Sequence, residues 1–89
     1  MDFEWDRAKA AANKSKHGVS FEEASTIFGD DHAITVRDPD HSEGENRYLT
    51  FGMSRNGRLL VVAHTGRGDR IRIISSRPMT GRERRAYEQ

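Results

Sequence analysis

The chain has 89 residues, enough for one small domain over 1–89, and with only 34% hydrophobic residues its core must be modest. It has no cysteine, which excludes a disulfide framework, a thiolate zinc site and a cysteine nucleophile, and fits a reducing compartment. The opening MDFEWDRAKA is charged rather than apolar, and the longest strongly apolar stretch, Leu59–Ala63, has five residues against the roughly 20 that span a bilayer. A soluble cytoplasmic protein without membrane contact is therefore expected.

Asp6 is placed to cap a helix over Arg7–His17, with Ala8, Ala11 and Ala12 on one face and Gly18 as its terminator. Ser20-Phe21-Glu22-Glu23 has the spacing of a capping box and opens a second helix, Phe21–Phe28, stopped by Gly29. The period then changes to two. His32–Arg37 reads as a strand and 38–44 as a polar loop. Glu45–Ser54 reads as a second strand, and Asn56-Gly57 predicts a two-residue type I′ hairpin into Leu59–Thr65. A fourth strand, Arg70–Ser76, follows, and Thr80-x-x-Glu83 opens a short basic helix to about Glu88. The fold class is α+β: two N-terminal helices, a four-stranded antiparallel sheet covered on one face, and a short C-terminal helix.

Charge is divided along the chain. Residues 1–54 carry a net −5, whereas residues 55–89 carry +6, and every basic residue of that second part is arginine. Arginine without lysine suits bidentate recognition of phosphate or carboxylate. The competing explanation is a solvated face paired with the acidic half. A two-residue hairpin would pair Met53 with Leu60, Phe51 with Val62 and Leu49 with His64 on the apolar, helix-covered face. Tyr48, Thr50, Ala63 and Thr65 would then share the open face with Arg70 and Arg72, as a shallow phosphate-binding floor. Arg77 has the apolar parity and is expected beyond the strand's end. His64 also has it, and reads equally as a packed or a catalytic histidine.

Several stretches form an ordered pattern along nearly the whole chain. They begin with Phe3-Glu4-Trp5-Asp6, Lys9-Ala10, Asn13 and Lys16-His17-Gly18-Val19-Ser20-Phe21-Glu22-Glu23-Ala24, followed by Asp31. Then come His41-Ser42-x-x-Glu45-x-Arg47, the strand around Gly52, Arg58-Leu59-Leu60-Val61-Val62 and Thr65-Gly66-Arg67. Arg70-Ile71-Arg72-Ile73-Ile74-Ser75-Ser76-Arg77 and Glu83-Arg84-x-x-Tyr87 complete the pattern, with Ser76 where alanine is usual and Tyr48 where tryptophan is usual. Taken together these stretches resemble the BrnT family of toxins, and the resemblance implies a RelE-like fold and RNA cleavage that inhibits translation. It also implies neutralisation by a BrnA-like ribbon-helix-helix antitoxin in a heterotetramer, with promoter DNA bound only through that antitoxin.

Metal-independent RNA cleavage uses the substrate's own 2′-hydroxyl as nucleophile, so the protein must hold the phosphate, stabilise charge and move protons. Arg67, Arg72 and Arg77 are the candidates for phosphate clamping. Glu45 or His64 is the candidate base, with Glu45 alternatively orienting an arginine and His64, if exposed, serving as acid. Arg47, Tyr48, Arg70, Arg84 and Tyr87 are candidate RNA contacts. No cofactor is expected. Asp38, Asp40, His41, Glu43 and Glu45 bring together oxygen and imidazole groups that suit a divalent cation, but a solvated acidic loop accounts for them better and no metal is assigned. Two other readings share the arginine surface: a non-catalytic nucleic-acid-binding module, and an interaction domain for an acidic protein.

Overall fold

The computed structural model describes residues 1–38, 40 and 46–89. Helix α1 (Arg7–His17) starts where the Asp6 carboxylate accepts from the Lys9 N–H and ends at Gly18, whose φ of 71° lets its N–H close on the Lys14 carbonyl. Helix α2 (Phe21–Ser25) starts at Ser20, which accepts from the Glu23 N–H at 3.0 Å. It is shorter than its pattern suggests, because Thr26–Gly29 tightens into a 3₁₀ turn. The capping box at Ser20 is only half made, since the Glu23 carboxylate turns to Arg58 and Ser54 instead.

The sheet corrects the four-stranded antiparallel expectation. Strands β1 (Asp2–Glu4), β2 (Ile34–Arg37), β3 (Arg47–Met53), β4 (Leu59–Arg67) and β5 (Arg70–Pro78) form one five-stranded mixed sheet in the order β1-β5-β4-β3-β2. The unexpected strand is β1, which lies parallel to β5 with Phe3 opposite Ile71 and Glu4 opposite Arg72. Helix α3 (Gly81–Tyr87) follows β5 and begins at Thr80 with the capping box complete, Thr80 accepting from the Glu83 N–H and Glu83 accepting from the Thr80 N–H.

The β3–β4 register also differs from the two-residue hairpin. Thr50 lies opposite Val62, Gly52 opposite Leu60 and Met53 opposite Leu59. The loop therefore has three residues, Arg55-Asn56-Gly57, with only Gly57 at positive φ (80°), as in a type I turn followed by a left-handed residue. A type I′ turn would need Asn56 at positive φ too. Two tertiary contacts select this register. The Ser54 hydroxyl donates to Glu23 and accepts from the N–H groups of Asn56 and Arg58, and the Arg55 N–H donates to Thr26 Oγ1. The second contact is steric: a Cβ at residue 52 would lie 3.2 Å from the Cβ atoms of both Ile27 and Ala33, tighter than ordinary packing, which favours glycine on this face.

The slip of one residue exchanges the faces of β3. Tyr48, Thr50 and Gly52 belong to the face under the N-terminal helices, while Leu49, Phe51 and Met53 belong to the outer face. The core lies on the helix side, where Val19, Phe21, Ala24 and Ile27 meet Leu60, Val62 and Ile73, with Phe3, Trp5 and Phe28 packed around them. In β5 an extra residue at Ile74 separates the pairs His64–Ile73 and Ala63–Ser75. This bulge changes the parity of everything after it. Arg77 therefore lies within the strand, opposite Val61, and not beyond its end as its sequence parity suggests.

Helix α1 is alanine-rich and buries one polar residue, Asn13. Its amide donates to the carbonyls of Val19 (3.0 Å) and Ser76 (2.9 Å) and accepts from the Ser76 N–H (3.0 Å). It thereby satisfies the edge of β5 beyond the reach of short β1 and fixes α1 to the sheet. Asn13→Ala leaves these buried backbone groups without partners, and at about 1–3 kcal/mol per unsatisfied group it is expected to destabilise the fold by several kcal/mol. Urea unfolding checks this; a loss below about 0.5 kcal/mol would contradict the role given to Asn13.

Candidate functional site

The outer face collects the arginines. In one cross-strand row Arg47 lies opposite Thr65, Thr65 opposite Arg72, and Arg72 opposite Glu4. Arg67 and Arg70 form the next pair on that face, at the β4–β5 turn. Arg77 joins them through the Ile74 bulge. An open groove of about 310 Å³ lies along this face, with Ala63, Leu49 and Ser75 as a low floor and Arg47, Arg77, Asp38 and Asp40 around it. The small side chains of Ala63 and Ser75 are what keep the floor low.

Arg72 and Arg77 are held by carboxylates among the described residues. Arg72 Nη1 donates to Glu4 Oε2 at 2.9 Å, a contact that depends on β1 being in parallel register with β5. Arg77 donates through Nη1 and Nη2 to the two oxygens of Glu83, at 2.7 and 2.9 Å. That fork, with the Thr80 N–H, holds the Glu83 carboxyl down at about 2. The fork fixes the plane of the Arg77 guanidinium, and the single bond to Glu4 anchors Arg72 at one nitrogen. Glu4 is the site group that sequence reasoning missed, and Asp38, weighed there only as part of an acidic loop, borders the arginine groove. Glu4 belongs to a strand too short to show alternation.

The remaining candidates are distributed as follows. Tyr48 is on the helix side, stacked on His64 with ring centroids 5.9 Å apart, and not beside Arg70 and Arg72 as the two-residue hairpin requires. Tyr87 donates its hydroxyl to Asp30 Oδ2. That bond pushes the phenol up to about 12. Burial opposes ionisation of Asp30, but the bonds from Tyr87 and from the N–H groups of Met53 and His32 outweigh it and leave the carboxyl below its usual range. Arg84, on the same helix, borders Met53, Leu59 and Pro78. Glu45, and with it His41 and Glu43 of the acidic loop, lies outside the described residues. Among the described residues no group of three potential metal ligands occurs, and no helix is long and apolar enough to cross a membrane.

His64 is separated from the arginines by the sheet itself. It is 8% exposed on the helix side, with Nε2 2.7 Å from Thr50 Oγ1 and the Phe28 ring edge-on at 5.0 Å. Burial among these groups pushes its pKa down to about 4, so the ring is neutral at physiological pH. An unfolded histidine titrates near 6.5. The neutral ring therefore contributes stability that is complete above pH 6.5 and is lost as pH falls from there towards 4. On the order of 3 kcal/mol is expected to go in that window. Urea unfolding of His64→Gln, which keeps a hydrogen-bonding side chain but does not titrate, should lack most of this loss; identical pH curves would contradict it. The carboxyls of Glu23 and Glu83, each held at about 2, act only below pH 4.5.

A family model described as "Ribonuclease toxin, BrnT, of type II toxin-antitoxin system" matches residues 5–83. The fold is similar to the crystal structure of the BrnT ribonuclease toxin of Brucella abortus, with a TM-score of 0.66 and 20% sequence identity, over 90% of this chain and 97% of that one. No curated protein matches it in sequence.

Proposed function

Since the chain belongs to the BrnT family of ribonuclease toxins of type II toxin–antitoxin systems, we propose that it is a metal-independent endoribonuclease whose outer arginine face holds the scissile phosphate. The observation that carries this reading is that Arg67, Arg72 and Arg77 share one open face of the sheet, with Arg72 held by Glu4 and Arg77 by Glu83. In the reaction the 2′-oxygen of the substrate attacks the adjacent phosphorus while its proton passes to a base. The P–O5′ bond breaks, the departing 5′-oxygen takes a proton from water, and the products are a 2′,3′-cyclic phosphate and a 5′-hydroxyl. Arg72 and Arg77 neutralise the charge that grows on the non-bridging oxygens, a role in which a prealigned donor counts far more than a mobile one. Arg67 and Arg70 at the β4–β5 turn, with Arg47 across the groove, contact the flanking phosphates.

The base in this scheme is a carboxylate. His64 is given a packing role because it is buried on the opposite face. Glu45, just ahead of β3, retains the two roles its sequence position suggests, base or orienter of an arginine. Tyr48, stacked on His64, and Tyr87, bonded to Asp30, are assigned to structure and not to RNA. Cleavage of cellular RNA arrests translation, in the cytoplasm. A BrnA-like ribbon-helix-helix antitoxin neutralises the toxin, in a heterotetramer that reaches promoter DNA through the antitoxin.

End-labelled RNA incubated with the protein in EDTA, with and without translating ribosomes, tests the activity. Cleavage is expected, with a cyclic phosphate at the new 3′ end, and a substrate with 2′-deoxy sugars should remain intact. Arg72→Ala and Arg77→Ala should each slow cleavage by about 10²–10³-fold. RNA that binds in a salt-sensitive manner but stays intact under every condition would instead indicate a non-catalytic binding module. Full activity in alanine variants of Arg67, Arg72 and Arg77 would overturn the arginine assignment.

A further inference from the structure

A second feature of the outer face is apolar and lies beyond the Arg77–Glu83 pair. Ile34, Val36 and Met53 are 46%, 44% and 44% exposed, and apart from Met1 they are the exposed large hydrophobic residues among those described. Ile34 and Val36 are alternate residues of β2 on one face. They continue into an apolar groove of about 340 Å³ floored by Phe51 and walled by Ala86 and Tyr87 of α3. Patches of this kind on a small, highly charged protein mark contact surfaces.

The backbone of β2 is open as well. Among the described residues β2 pairs only with β3, so its other edge is unpaired. The Asp38 N–H donates to the Arg47 carbonyl, and in an antiparallel ladder bonded pairs alternate. Ile34 and Val36 therefore direct their peptide groups to β3, and Thr35 and Arg37 present theirs to the open edge. Such an edge accepts an added strand, with main-chain bonds giving affinity and alternate side chains giving selectivity.

Charge narrows the occupant. Arg82 stands at the groove and makes no ion pair among the described residues, while the neighbouring Glu83 is already committed to Arg77 and the Thr80 N–H. Arg84 and Arg85 are exposed on the same helix. A second copy of this chain would bring its own Arg37 and Arg82 to the rim, which like charges oppose. An acidic partner fits.

We propose that an extended segment of the antitoxin adds to the open edge of β2, pairing with Thr35 and Arg37. It places apolar residues over Ile34 and Val36 and a carboxylate against Arg82. The inference rests on the toxin–antitoxin reading and adds to it where the antitoxin docks. This surface is distinct from the arginine groove, the Arg77–Glu83 pair lying between the two.

The test uses the full chain and its cognate antitoxin. Val36→Lys and Arg82→Glu should each weaken the complex at least tenfold, while Val36→Lys keeps the wild-type RNA cleavage rate, which shows that it folds. In the wild-type complex the amides of Thr35 and Arg37 should gain protection from hydrogen exchange, a measurement that stands even if a variant fails to fold. Unchanged affinity in both variants, or unchanged exchange at Thr35 and Arg37 in a formed complex, would overturn the proposal. Absence of any complex with the wild-type chain would contradict the toxin–antitoxin pairing itself, and the docking site with it.

Discussion

At Gly52 the 3₁₀ turn Thr26–Gly29 comes so close to the sheet that the missing side chain is what lets the two meet, with Ile27 and Ala33 each 3.2 Å from where a Cβ would stand. Because residue 52 faces the helices, alternation sends its neighbours Phe51 and Met53 outward and, two residues further, Leu49 outward and Thr50 inward. The outer groove, the apolar patch on β2 and the burial of His64 against Thr50 all descend from this contact. The hairpin loop enforces the same register from its other side. There Glu23 accepts from both Ser54 and Arg58, and Arg58 also donates to the Gly18 carbonyl at 3.0 Å. One carboxylate thus ties the start of α2 to the turn that sets the sheet.

The two faces divide the chemistry. On the inner face polar groups are satisfied internally: His64 with Thr50, Thr50 with Thr35, and Ser76 with Asn13. Such a network orders the core but offers nothing to a ligand. On the outer face the carboxylates partner arginines without covering them, and the side chains between are small. A chain with a modest core can carry so many cations at one end because Glu4 and Glu83 lower the repulsion while leaving the outer edges of the guanidiniums to solvent. The arginines come from several segments, and the sheet collects them. β1 contributes Glu4 to Arg72, the Ile74 bulge delivers Arg77, and α3 sets it in place.

Local signals were legible and tertiary ones were not. The caps at Asp6, Ser20 and Thr80 depend on three or four consecutive residues, so the helix starts could be read directly. The arginine face was also legible, because Arg70 and Arg72 alternate with Ile71 and Ile73 whatever lies across from them. Strand β1 was not, since three residues show no period and its partner lies nearly seventy positions away. The hairpin was recognisable from Asn56-Gly57, but its length depends on Ser54 reaching Glu23 and on the room at Gly52, and neither is encoded in the turn itself. The resulting one-residue error misplaced Tyr48. The bulge at Ile74 left Arg77 with a misleading parity, although the residue belonged to the site all along. The likeness to the BrnT family pointed to ribonuclease toxins where the residues alone reached only a surface suited to polyanions.

The proposed RNA surface is the outer face alone, with no contact at the inner face. Titrating isotope-labelled protein with an RNA oligonucleotide methylated at its 2′-oxygens, which binds but cannot be cleaved, tests it in one NMR experiment. The guanidinium resonances of Arg72 and Arg77 and the amides of Ala63, Thr65 and Ser75 should shift together, with the His64 and Thr50 side chains unmoved. Shifts centred on His64, Tyr48 and α1, with the outer arginines unchanged, would contradict the account.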